Sequence, residues 1–127
     1  MAGFEDGSLA NESFHHCDHV RMAFLYLARY PPLEAIQRFS TSLMSFANAK
    51  GRPGLYHQTI TWALLLLMRD RMARANCEQS WAEFAESNAD LLNWKDNILK
   101  RYYRDETLSS ELAKKHFLFP DKAVPEL

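Results

Sequence analysis

Residues 60–68 read ITWALLLLM, and this stretch decides the fold class. It is apolar on nearly every side at the helical period, the pattern of a helix with others packed around it rather than one lying on a surface. Arg69 and Asp70 follow directly. The apolar run from Trp62 to Met68 is therefore far short of the roughly 20 residues needed to span a bilayer, and no transmembrane helix is expected. The spacing predicts a helix from about Tyr56 to Ala75, central to an all-α, single-domain bundle of about four to six helices.

Outward from this helix, Gly51, Pro53 and Gly54 combine a helix stop with turn chemistry. Before them, Leu33, Ile36, Phe39, Leu43 and Phe46 fall near one face of a helix over 32–49. Pro31 stops the preceding helix, and Pro32 can open the next because its fixed φ suits a first turn. The first helix starts near Ser13, a candidate N-cap, and runs to Tyr30, with His16, His19, Val20, Ala23 and Leu27 on one stripe. Residues 1–12 carry Gly3, Gly7 and scattered acids without periodicity, which predicts a flexible N-terminus ahead of a domain over 13–127.

Downstream, Ser80-Trp81-Ala82-Glu83 has the form of a capping box and predicts a short fourth helix. Asn88-Ala89-Asp90 marks a break, and Leu91 to Tyr103 offers Leu92, Ile98 and two tyrosines for a partly buried segment. Ser109 or Ser110 can start a last helix through His116. Phe117, Leu118 and Phe119, followed by Pro120, predict an apolar tail laid across the bundle.

Composition bounds function. A chain of 127 residues with 47% hydrophobic and 13% aromatic content can bury a core as one domain. Its 15 Lys+Arg and 16 Asp+Glu give a net charge of −1, so no global field draws it to nucleic acid or an anionic membrane. The start, MAGFEDGSLANES, has neither the basic and apolar regions of a secretory signal nor an Arg-rich transit pattern, which leads us to expect a cytoplasmic protein. Cys17 and Cys77 lack C-x-x-C spacing and suit packing as small hydrophobes.

The residues that point to chemistry are histidines. FHHCDH (14–19) brings His15, His16 and His19 into little more than one turn, and His57 stands at the start of the central helix. At about 100° per residue, His15 and His19 lie about 40° apart and His16 and His19 about 60° apart, so either pair can converge on one ion. A pair plus His57 would make a three-histidine transition-metal site with an open position, suited to iron, copper, zinc or nickel. Histidines near helix starts can equally cap or bond to carbonyls, and no H-E-x-x-H signature supplies a general base. His116, beside Lys114 and Lys115, reads as a solvated helix end.

Phe14-His15-His16-Cys17-Asp18-His19-Val20 and Tyr56-His57-Gln58-Thr59-Ile60-Thr61 resemble a group of small, largely uncharacterised all-helical bacterial proteins. That group has F-x-H-x-x-H-V/L in its first helix and Y-H-x-T-x-T opening a later one. The resemblance covers most of the chain after residue 13. It implies His16, His19 and His57 as the preferred metal ligands, with His15 secondary. Gln58 departs from it, standing where the pattern has glutamate.

Asp18 could orient an imidazole from behind, although the helix dipole alone favours an acid in a first turn. Tyr56, Thr59 and Thr61 surround His57 in sequence and could bind substrate, while Thr59 could instead bond locally. Tyr102 and Tyr103 with Lys100, Arg101 and Arg104 form a basic and aromatic run able to grip a carboxylate or phosphate, or simply a solvated helix end. No Gly-rich phosphate loop, G-x-S-x-G elbow or paired-carboxylate motif is present.

Two functions follow as expectations. One is a small metalloprotein, potentially an enzyme of oxidative or water-activating type, acting on a small organic substrate. The other is a non-catalytic helical binding or interaction module whose anchors are Trp81, Trp94 and the Phe117–Phe119 tail, with a homo-oligomer as one form it could take. An apolar ligand pocket without catalysis is a third use of the aromatic content.

Overall fold

The computed structural model describes residues 16–51, 56–75, 78–93 and 97–122, excluding the side chains of residues 16 and 17. Among the described residues there are six α-helices and no strand, the all-α bundle expected. They are α1 (His16–Arg29), α2 (Pro32–Ala49), α3 (Gln58–Arg74), α4 (Trp81–Ser87), α5 (Asp105–Leu108) and α6 (Glu111–Lys115), with 3₁₀ turns at Ala89–Leu92 and Ile98–Arg101. None is long and apolar enough to cross a membrane. The expected loose segment over 1–12, the Ser13 cap, Cys77 and Trp94 lie outside the described residues.

Pro31 and Pro32 set the first turn. Pro32 occupies the first position of α2, where no N–H is needed. The chain reverses there, so α1 and α2 pack antiparallel. Tyr26 meets the edge of Phe39 at 5.6 Å, and the Arg38 guanidinium sits 4.5 Å from the Tyr30 ring centre. The buried stripe of α1 is Val20, Ala23, Phe24, Tyr26 and Leu27, matched from α2 by Ala35, Ile36, Phe39 and Phe46. Leu33, expected on that face, is 82% exposed because it stands in the first turn of α2, beyond the end of α1. Gly51, at φ +70°, closes α2 in a left-handed conformation that only glycine adopts without strain.

The chain then returns as α3, which touches α1, α2, α6 and the turn at Ile98–Arg101. Central in position, α3 is not enclosed on every side. Thr61, Leu65 and Met68 form its buried stripe, whereas Leu66 is 43% exposed. The apolar run exceeds what its neighbours cover.

The capping box at α4 forms in full. The Glu83 N–H donates to Ser80 Oγ (3.3 Å), and the Ser80 N–H donates to the Glu83 carboxylate (3.0 Å). That entrance aims Phe84, 1% exposed, at Phe24 with ring centres 5.0 Å apart; burying such a ring contributes about 2–3 kcal/mol. At the break after α4, Arg71 of α3 donates to Asn88 Oδ1 (3.0 Å) and to both carboxylate oxygens of Asp90 (2.7 and 2.9 Å). Residues 91–103, expected as one segment, instead contain parts of two 3₁₀ turns. Helix α5 carries no apolar periodicity to announce it, while α6 starts as expected on Ser110, whose hydroxyl accepts from the Ala113 N–H at 3.1 Å.

Candidate functional site

The candidate residues fall at the starts of α1 and α3, two helices that touch. The backbone of His16, the half-buried Asp18 and His19, and the half-buried His57 all belong to those two helix starts. His15 and the side chain of His16 lie outside the described residues. Among the described residues, no three His, Cys, Asp or Glu side chains are grouped to hold a metal.

His57 has a defined task. It is the N-cap of α3, in extended conformation, and its Nδ1 accepts from the Ile60 N–H at 3.1 Å. Its Nε2 lies 2.6 Å from the Leu108 carbonyl at the end of α5. A carbonyl can only accept, so the proton sits on Nε2 and the ring is the neutral tautomer. Both nitrogens are engaged. A metal bound at Nε2 would require the proton to move to Nδ1, ending the cap as well as the Leu108 bond. Two such bonds are worth about 2–3 kcal/mol, small beside the roughly 10–16 kcal/mol of a structural zinc site. The present bonds oppose ligation without forbidding it.

Thr59, expected to meet substrate, faces the protein instead. Fully buried, its hydroxyl donates to the His116 carbonyl (2.7 Å) and accepts from the Leu118 N–H (3.2 Å). The tail is completed by Phe117, stacked on Trp62 at 5.7 Å, and by the Tyr103 hydroxyl donating to the Leu118 carbonyl at 2.6 Å. Phe119 is 82% exposed, so only part of the expected apolar tail is laid down. Trp81, expected as a partner anchor, packs inward against Phe24 at 5.7 Å.

Tyr56 and Thr61 do come together, joined by Ser40 of α2 and by Trp62 and Gln58. Burial raises the Tyr56 pKa, and the nearby Ser40, Trp62 and Thr61 side chains pull it back. The Tyr56 hydroxyl donates to the Gln58 side-chain oxygen. Around it, Ser40 Oγ and Trp62 Nε1 are both buried, and neither closes a hydrogen bond of good geometry among the described residues. Buried polar atoms without partners are uncommon and call for a cause. Here an O–H and an N–H flank a phenol in one small volume. Sequence reading missed Ser40 and Trp62 because both looked like ordinary helix-face residues; only the α2–α3 packing brings them to Tyr56.

The fold and this cluster define a small helical-bundle protein with a group of polar side chains between the middle of α2 and the start of α3. No protein-family model, curated protein or solved structure matches the chain.

Proposed function

We propose that the chain binds a small organic molecule where the middle of α2 meets the start of α3, through an acceptor oxygen received by Trp62, Ser40 and Thr61 beside Tyr56. The observation that supports this reading is the gathering of two buried polar atoms, Ser40 Oγ and Trp62 Nε1, around the half-buried Tyr56 hydroxyl, with neither closing a hydrogen bond of good geometry among the described residues. An indole N–H can only donate, so it calls for an acceptor such as a carbonyl or carboxylate oxygen. The test follows the Trp62 indole N–H by NMR while acetate, acetamide and acetone are added. A saturable shift that disappears in Tyr56→Phe and Ser40→Ala is expected. Absence of any saturable shift in the folded wild type would refute the reading.

A transition metal held by His16, His19 and His57 is a second reading, supported by the placement of these histidines at the starts of α1 and α3, two helices that touch. Iron, copper, zinc and nickel all accept imidazole. Elemental analysis of tag-free protein and of His57→Ala, with folding checked by circular dichroism, decides it: stoichiometric metal lost in the folded variant supports the site, and no metal after reconstitution removes it.

A further inference from the structure

At the opposite extreme of the sequence from the histidines, the basic run left unassigned above forms part of a cleft of about 280 Å³. Its walls include Asn93, Asn97, Lys100, Arg101 and Lys122, with Ile98 at its apolar side. In a chain whose net charge is −1, a concave patch carrying Lys100, Arg101 and Lys122 stands against the general balance.

Two described acids near the cleft, Asp90 and Asp121, are committed elsewhere. Asp90 lines it, but Arg71 grips both its oxygens and holds its carboxyl below the usual range. Asp121, next to Lys122, accepts from the Arg104 N–H at 3.0 Å and from the Thr107 hydroxyl. Asn97 and Lys122 are placed to donate into the cleft. Asn97 caps the turn at Ile98–Arg101 by accepting from the Leu99 N–H through Oδ1 (2.9 Å), which leaves its amide N–H₂ to donate. Lys122 is fixed at the rim by its own N–H on the Tyr102 carbonyl (3.0 Å) and by Nζ on the Lys100 carbonyl (2.9 Å), leaving two ammonium protons. Arg101 is exposed and makes no ion pair among the described residues.

We propose that this cleft binds the phosphate of a small phosphomonoester, with Arg101 and Lys122 as the principal contacts and the Asn97 amide as a neutral donor. Arginine offers a planar fork to two phosphate oxygens, and a lysine beside it adds a compact charge. The volume lies just under the range of pockets for drug-sized ligands, which suits a phosphate carrying only a few further heavy atoms.

The test is calorimetric titration of the whole chain with glycerol 3-phosphate, inorganic phosphate and acetate at low and moderate salt. Expected is saturable glycerol 3-phosphate binding, at least as tight as that of inorganic phosphate, stronger than acetate and weakened by salt. Arg101→Gln and Lys122→Gln should each lower affinity on the order of tenfold, while Lys115→Gln, at an exposed position of α6, changes nothing. Circular dichroism verifies that the variants fold. Absent glycerol 3-phosphate binding, binding of inorganic phosphate alone, or affinity unchanged in the folded Arg101→Gln/Lys122→Gln double variant would overturn the proposal.

Discussion

Replacing Thr59 by valine separates the two roles open to that residue. Valine keeps the shape and leaves no cavity, so the change removes two hydrogen bonds and little else: the one to the His116 carbonyl at 2.7 Å and the one from the Leu118 N–H at 3.2 Å. Each contributes about 1 kcal/mol net, with a further penalty if the freed group stays dry. His116 is exposed and Leu118 half-buried, so water can reach the first group more readily than the second. A loss of about 2–3 kcal/mol follows, or roughly 6–12 °C in Tm for a domain of this size. Thr59→Ser keeps both bonds and should cost only about 1 kcal/mol, for the lost methyl. Urea unfolding gives the totals, and hydrogen exchange at the Leu118 amide gives the location: protection there should fall in the valine variant and persist in the serine variant. A Thr59→Val protein within about 0.5 kcal/mol of wild type, with Leu118 still protected, would refute the clamp and return Thr59 to the list of ligand contacts.

Other perturbations test separate parts of the structure. His57→Asn should retain the cap on the Ile60 N–H while losing the reach to Leu108, costing about 1 kcal/mol against about 2 for His57→Ala, as read from urea midpoints. Asp90→Asn should cost about 1 kcal/mol or less at neutral pH, since the pair with Arg71 is partly exposed. The Asp90 carboxyl is lowered, first by its bond to Arg71, so that contribution is present above the ordinary carboxylate pKa and is lost as pH falls through the lower folded value; wild type and variant should converge in acid. Tyr56 and Tyr103 are both raised, chiefly by burial. An ultraviolet titration should therefore show a component above the ordinary tyrosine value that is lost in Tyr56→Phe and Tyr103→Phe, with stability falling as pH rises above about 10 toward their folded values.

What the sequence made legible was mostly what local chemistry decides. Proline pairs, the Ser80/Glu83 box, Gly51 and helical periodicity set the ends of α2, α3 and α4 within a residue or two of those observed. Short elements after residue 88 were harder, because 3₁₀ turns and one-turn helices have no period to read. Around His57, neighbours in sequence do not share surroundings. Tyr56 and Thr61 come together, whereas Thr59, between them in sequence, bonds to the late segment, because positions two apart on a helix point about 160° away from each other. Ser40 entered only through packing between helices. His57 illustrates a further ambiguity: the lone pair that makes imidazole a ligand also makes it a cap, and the sequence does not reveal which donor arrives.

The bonds from His57 and Thr59 carry a consequence for the order in which the protein is made. Their partners lie 51, 57 and 59 positions later in the chain. At about 5–20 residues per second of synthesis, Thr59 waits roughly 3–12 s for Leu118 to be added. Over that interval α1, α2 and α3 can already associate, but the fastening of α3 to Leu108, His116 and Leu118 is missing. Whatever association α1, α2 and α3 reach in that interval is made without the latch, and Thr59 keeps its hydroxyl for water or another partner until the late segment arrives.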